Sequence, residues 1–243
     1  MREPSSRLRA RAPLLPLLPV LLLLAVLCLS GGAWPAAAQE RPATAAAAGR
    51  SDAPALLAAM REHWEGRKSF TARFEQTQQF VGFDEPVVSQ GTMRILRPRF
   101  FDLTFDAPSG QRQVCDGVYV WTYVPEQKQA IRMPLGPDAR RGADLLDWAL
   151  AGAKADSAQD DPAFAPGAVR LELTPGSQLP IEALRVWVAS DGRSILGYEA
   201  ADGEGNRTRL RLRDVRPDPS LDPGDFRFVP PAGTEVVDLG EGG

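Results

Sequence analysis

The stretch that decides the fold lies at residues 101–106 and reads FDLTFD. Phe101, Leu103 and Phe105 alternate there with polar residues, which is the period of a strand that buries one face. The same two-residue period recurs along the chain, at Phe70/Ala72/Phe74, Met93/Ile95, Val169/Leu171/Leu173 and Leu184/Val186/Val188. Asp191-Gly192 and Asp202-Gly203 are typical of hairpin turns. The pattern predicts an antiparallel meander with one buried face and one solvated face.

A row of arginines marks the strand predicted at residues 207–214. Arginine occupies positions 207, 209, 211 and 213, while Thr208, Leu210 and Leu212 point to the other face. Such a row can bind an anionic partner, or it can be the solvated face of a sheet. We favour the second interpretation, because arginines on a sheet commonly pair with acidic residues across the strands.

Two segments have a helical period instead. The first, residues 52–65, begins with Asp52 and an early proline, and its apolar residues recur at three- to four-residue spacing. These residues are Leu56, Leu57, Met60 and Trp64. The second, residues 142–155, has a broad apolar surface that includes Leu146, Trp148 and Leu150. Residues 156–168, rich in Asp, Pro and Ala, are predicted to form a loop. Two amphipathic helices beside a large meander make the predicted fold class α+β, mostly β.

Residues 1–38 have the parts of a secretory signal peptide in order. A basic start precedes an apolar core from Leu14 to Leu29, and Ala36-Ala37-Ala38 forms a cleavage pattern before Gln39. A membrane anchor is the alternative, although Pro16 and Pro19 interrupt the core. We expect a flexible lead-in at residues 39–51 and one domain over residues 52–243.

The two cysteines suggest no chemistry of their own. Cys28 follows the bulky Leu27, where a lipobox requires small residues, so we do not expect the chain itself to be acylated. After cleavage Cys115 has no partner within the chain, and a buried thiol that acts as a small apolar side chain is the favoured interpretation. Spacings typical of Cys/His metal ligands are missing from the sequence, so no metal or other cofactor is predicted.

Other function classes are disfavoured as well. His63 is the chain's one histidine, and no G-x-S-x-G elbow occurs, so a hydrolase would have a single candidate base. The formal net charge is −3 and no basic run is present, which argues against a nucleic-acid partner. We therefore expect a binding protein and not an enzyme.

From residue 91 onward the sequence resembles the LolA-type periplasmic carriers of outer-membrane lipoproteins. The matching parts are Gly91, Arg97-Pro98, the aromatic strand 100–105, and Asp116-Gly117 followed by Trp121 and Tyr123. The segments 69–76 (SFTARFEQ) and 226–233 (FRFVPPAG) resemble the family's first strand and its closing strand and turn. Together these motifs span most of residues 52–238, and their order and spacing are more specific than any one of them.

The resemblance implies an open, curved antiparallel half-barrel whose short helices cover the concave face as a lid. It implies a monomeric periplasmic chaperone that takes acylated lipoproteins from an ATP-driven release complex in the inner membrane. The cargo then passes to a lipoprotein receptor in the outer membrane. The residues expected to line the lipid cavity are Phe70, Phe74, Phe101, Leu103, Phe105, Trp121, Tyr123, Leu210 and Leu212. The inward parity of the strand at 118–124 stays open.

Arg97 matches an arginine of the family and is expected to hold the lid closed. It shares odd numbering with Phe101 and Leu103, so along one extended run its side chain would point to the same face. A guanidinium at an apolar face needs acceptors, and carbonyls at the ends of the lid helices would serve. The alternative for Arg97 is an ordinary arginine at the rim in a salt bridge. The alternative for the whole protein is a carrier or sensor of the same fold that binds another lipid or a glycolipid.

Overall fold

The computed structural model describes residues 52–107, 110–135, 150, 152–176, 181–217 and 219–240. The predicted signal peptide, the lead-in, Leu146 and Trp148 lie outside the described residues. The elements in chain order are α1 (Ala53–Glu65), β1 (Ser69–Gln79), β2 (Val87–Leu96), β3 (Phe100–Ala107), β4 (Arg112–Asp116), β5 (Tyr119–Val124), β6 (Gln129–Pro134), β7 (Lys154–Asp160), β8 (Ala168–Thr174), β9 (Ile181–Ala189), β10 (Ile195–Asp202), β11 (Arg207–Pro217) and β12 (Glu235–Asp238). Short 3-10 turns occur at Pro125–Gln127 and Pro223–Phe226.

The strands form one sheet in the order β12-β6-β5-β4-β3-β2-β1-β11-β10-β9-β8-β7. Two meanders, β2–β6 and β7–β11, meet through β1, which pairs with β2 on one side and β11 on the other. Neighbours are antiparallel except β12, which runs parallel to β6. Strands β12 and β7 lie at the two ends of this order and do not pair with each other, so the sheet is open. The predicted open, curved sheet is confirmed.

The register shifts at several places in the sheet, and a bulge at such a place bends the strand and increases its twist. Gly91 and Gly197 lie at two such shifts. A Cβ on Gly91 would lie 2.1 Å from the Thr104 carbonyl oxygen, and one on Gly197 would lie 2.3 Å from the Leu210 carbonyl oxygen. Only glycine allows the neighbouring strand to approach so closely.

Helix α1 lies across the concave face, as the apolar spacing of its sequence predicts. It begins after Asp52, with Pro54 in its first turn, and ends at Gly66. One stripe of the helix is buried against the sheet and consists of Ala53, Leu56, Leu57, Met60 and Trp64. A helix of 13 residues is marginal by itself, so its stability comes from this contact.

The convex face has its own cover between β3 and β6. Residues 221–228 cross it and bury Phe226 completely and Phe228 nearly so, against Val114 and Trp121. Next to this cluster lies Asp102, which is 3% exposed and accepts hydrogen bonds from Arg94 and Arg112. Burial by itself would raise the pKa of Asp102, but these hydrogen bonds outweigh it and hold the pKa below its ordinary value.

The arginine row of β11 lies on the convex face and pairs as expected. Arg209 lies 2.6 Å from Glu199, and Arg213 lies 3.5 Å from Glu75. Arg211 covers the ring of Phe164 at 4.4 Å from its centroid. The interpretation as a sheet face with charge pairs across the strands is confirmed for Arg209 and Arg213.

Three local predictions need correction. The loop predicted at 156–168 is wrong over its first part, and so is the end of the helix predicted at 142–155, because Lys154–Asp160 forms β7. Strand β7 is an edge strand with a bulge, so its small and polar residues bury little and show no clean alternation. The turn after Asp202 is longer than Asp-Gly suggests: the Asp202 side chain accepts from the backbone of Glu204 and Asn206, and Gly205 has the positive φ.

Candidate functional site

The concave face beneath α1 is the candidate site. All the predicted cavity residues except Trp121 and Tyr123 lie there, buried in one cluster with the apolar stripe of the helix. They come from three elements: Phe70 and Phe74 from β1; Phe101, Leu103 and Phe105 from β3; Leu210 and Leu212 from β11. These residues form an apolar surface beneath α1, and Leu150 of the second predicted lid helix is buried in the same cluster.

Aromatic rings join the helix to the sheet. The ring of Trp64 on α1 lies 5.1 Å from that of Phe70, tilted by 54°. Phe74 and Phe105 meet edge to face at 5.2 Å. The first of these contacts joins the helix to the sheet and is apolar, while the second lies within the sheet between β1 and β3.

Trp121 and Tyr123 do not line this face, and that prediction is wrong. Trp121 lies opposite Val114 on the neighbouring strand, so both side chains point to the convex face. There the Trp121 ring packs 5.4 Å from that of Phe228, and its indole N–H donates to Asp116 at 2.9 Å. On β5, the side chains of Val120 and Thr122 point to the concave face instead.

Arg97 lies next to the helix, but by a different route from the one predicted. The chain turns at residues 97–99, so Arg97 and Phe101 do not share one extended run. Arg97 instead continues the inward positions of β2 after Met93 and Ile95, and its backbone N–H donates to the Lys68 carbonyl at 2.9 Å. Its guanidinium lies 4.6 Å from the centroid of the Trp64 ring.

A second arginine that sequence reasoning missed ties α1 down on its other side. Nη2 of Arg61 donates to the Leu150 carbonyl at 2.7 Å and also to the Ala153 carbonyl. Both acceptors lie just before β7, the strand nearest the helix. No sequence signal points to Arg61, because its partners are backbone atoms distant in the chain.

Buried polar side chains also occur on the concave face, near the β1–β2 hairpin and on the inward side of β4 and β5. They are Gln76, Gln78, Ser89, Gln111, Gln113 and Thr122. Sequence reasoning missed this set as well. The available signal was the parity of β1, since Gln76 and Gln78 follow Phe70, Ala72 and Phe74 on the same face.

The residues considered for catalysis are not assembled into a site. Cys115 is fully buried, and burial raises the pKa of its thiol to about 11, so the thiol is protonated at neutral pH. His63 is on the exposed side of α1 and borders a groove of about 630 Å³ with Glu62, Arg67, Asp191 and Arg193. Among the described residues, no cluster of His, Cys, Asp and Glu could hold a metal ion. No helix in that same part of the chain is long and apolar enough to span a membrane.

Comparison with known proteins points to one family. Residues 65–229 match the family model for "Outer membrane lipoprotein carrier protein LolA". An outer-membrane lipoprotein carrier protein of Alkalilimnicola ehrlichii is 27% identical over 90% of this chain and 94% of its own. One of Leptothrix cholodnii is 29% identical over 74% of this chain and 84% of its own. A solved LolA superfamily protein from Nitrosomonas europaea aligns with a TM-score of 0.42 and 12% identity, over 72% of this chain and 97% of that one.

Proposed function

Because the chain belongs to the LolA family of outer membrane lipoprotein carrier proteins, we propose that it carries lipoproteins by holding their acyl chains against the concave face under α1. It is then a binding protein and not an enzyme. The observation that supports this most is the apolar surface of the concave face that α1 covers. A fully packed barrel would offer no such replaceable cover.

The energies favour exchange of the helix for acyl chains. Each buried methylene contributes about 0.8 kcal/mol, so ten methylenes contribute roughly 8 kcal/mol gross. Local openings of a protein cost from about zero up to its global stability, roughly 5–15 kcal/mol. A single helix whose contacts are mostly apolar belongs at the low end of that range. Cargo can therefore lift α1, and α1 can close again as the cargo leaves.

The finer parts of the proposal concern compartment and partners. The predicted signal peptide at residues 1–38 would send the chain to the periplasm, where it would act as a monomer. An ATP-driven complex of the inner membrane would supply the lipoprotein, and an outer-membrane receptor would accept it. The sequence resemblance and the family membership support this route.

Binding is tested with the purified mature protein and a fluorescent triacylated lipopeptide. We expect saturable binding that an unlabelled lipoprotein displaces and that the same peptide without acyl chains does not. Delivery is tested separately, by transfer from the loaded protein to isolated outer membranes, with inner membranes as the control. Absence of saturable binding would exclude the carrier function. Preference for a phospholipid or glycolipid over the lipopeptide would instead favour a carrier of another lipid.

A further inference from the structure

The concave face changes its chemistry along β1. Phe70, Ala72 and Phe74 continue into Gln76 and Gln78 at the same parity, so all of them point inward. Both glutamines are 3% exposed. Core positions of this kind normally hold apolar side chains, because a buried amide must find hydrogen-bond partners.

Neighbouring strands carry polar side chains as well: Ser89 lies at the level of Gln76, while Gln111 lies one inward position and Gln113 two inward positions nearer Phe70. Ser89 lies directly opposite Gln76 on β2 and is buried. On the next pair of strands, the carbonyl of Gln111 accepts from the backbone of Phe105 at 2.9 Å, and Gln111 and Gln113 are buried at the inward positions. We call Gln76, Gln78, Ser89 and Gln111 the glutamine end of the concave face.

Several amide atoms at the glutamine end lack partners. Oε1 of Gln76, Nε2 of Gln78 and Oε1 of Gln111 are buried and have no hydrogen-bond partner among the described residues. Unpaired buried polar groups destabilise the folded state, so they persist where a ligand or water completes them. The unpaired atoms are one amide donor, on Gln78, and two carbonyl acceptors, on Gln76 and Gln111.

We propose that the glutamine end binds the amide and ester groups that join acyl chains to the N-terminal cysteine of a lipoprotein. This inference rests on the carrier function proposed above and specifies which part of the cargo is recognised. An amide N–H of the cargo would donate to Gln76 or Gln111, and a carbonyl would accept from Gln78. The acyl chains would then lie along the apolar part of the face, towards α1.

Charge and length agree with this assignment. Among the described residues, the buried side chains of this face include no lysine or arginine, so a carboxylate or phosphate headgroup would lack a counter-charge. Carboxamides suit a neutral linkage that both donates and accepts. From Gln76 to Phe70 the strand extends roughly 20 Å, comparable with the depth of one bilayer leaflet, about 15 Å. The face can therefore hold a neutral linkage at one end and extended chains beyond it.

The test compares two probes on the Gln76→Leu/Gln78→Leu variant of the mature protein. The probes are a triacylated lipopeptide and diphenylhexatriene, a fluorescent hydrocarbon without polar groups. We expect the variant to bind diphenylhexatriene at least as tightly as the wild type. We expect its affinity for the lipopeptide to fall about tenfold, because two hydrogen bonds are lost. The matched control is Gln90→Leu, since Gln90 is exposed on the opposite face of β2.

Each other outcome is informative. An unchanged affinity for the lipopeptide, or an equal loss for both probes, would overturn the assignment. If the wild type binds neither probe, the proposed carrier function itself fails. Thermal unfolding of each variant checks that it is folded. If the double variant does not fold, Gln111→Leu repeats the comparison from a different segment, and loss of one hydrogen bond should lower the affinity for the lipopeptide about threefold.

Discussion

At the scale of single residues, Arg97 connects the end of β2 to the covering helix. A cation–π contact such as that between Arg97 and Trp64 contributes about 0.5–2 kcal/mol, a useful fraction of the cost of opening α1. Replacement by leucine removes this contact and adds apolar surface beside the cargo. We expect Arg97→Leu to load lipoprotein normally, to retain it, and to pass less to receptor-bearing membranes in a transfer assay from purified loaded carrier.

A matched control for this variant is Arg73→Leu. Arg73 lies on the convex face of β1, where its exposed side chain pairs with Asp106 at 2.7 Å. It has the same charge and comes from the same sheet, but it has no contact with the concave face. Transfer at the wild-type rate by Arg97→Leu, with normal loading, would reduce Arg97 to a structural residue of the rim.

Trp121 and Tyr123 were wrongly predicted to line the cavity, because alternation alone does not decide which face of a strand is the inner one. A two-residue period tells which side chains share a face, but it identifies the inner face only if the outer one is polar. On β3 the other face is polar, so Phe101, Leu103 and Phe105 were assigned to the inside. On β5 both faces are covered, one by the concave cluster and one by the segment with Phe228, so Trp121 was equally compatible with either.

At the scale of elements, α1 is the part that must move if cargo enters beneath it. A Cβ at Gly192, in the β9–β10 turn, would lie 3.3 Å from the Cβ of Ala59 on the helix. This is close to the 3.5–4.5 Å spacing of disulfides, although Gly192 has a φ of +71° and a cysteine there is strained. We expect oxidised Ala59→Cys/Gly192→Cys protein to lose lipopeptide binding and to recover it on reduction, as measured by fluorescence titration.

The single variant Ala59→Cys controls for the substitution on the helix, and its binding should not respond to oxidation. Cys115 does not interfere, because its thiol is buried and its pKa is about 11. If the cross-linked protein binds lipopeptide as tightly as the reduced form, cargo reaches the concave face without displacement of α1 from this turn.

Helices and strands were predictable from the sequence where the burial of one face gives the apolar residues a regular spacing. Helix α1 and the central strands each bury one face against a large partner, and their alternation is correspondingly regular. Strand β7 has a neighbour on one side only, and in its sequence only Ala158 is fully buried. Its formation depends on pairing with β8, which is a tertiary contact and leaves almost no local pattern.

At the scale of the whole molecule, the two faces of the sheet separate stability from function. Under the proposed function, the contacts between α1 and the concave face are lost when cargo enters, so these contacts cannot stabilise the loaded carrier. The convex cluster contains no residue of α1, and this face has contacts of its own: residues 221–228, Asp102 with its arginines, and the charge pairs from β8 to β11. The family resemblance predicted the open sheet, but it gave no indication of this division.

Phe226 tests the division directly. Its side chain is fully buried on the convex face, 5.6 Å from the ring of Phe100, and has no contact with the concave cluster. We expect Phe226→Ala to lower the free energy of unfolding by about 3–5 kcal/mol, the usual cost of removing a buried aromatic ring, in urea titrations. The folded fraction should bind lipopeptide with wild-type affinity. Val229→Ala, at a position 67% exposed nearby, should change neither quantity. A loss of affinity in folded Phe226→Ala protein would mean that packing on the convex face sets the shape of the concave one.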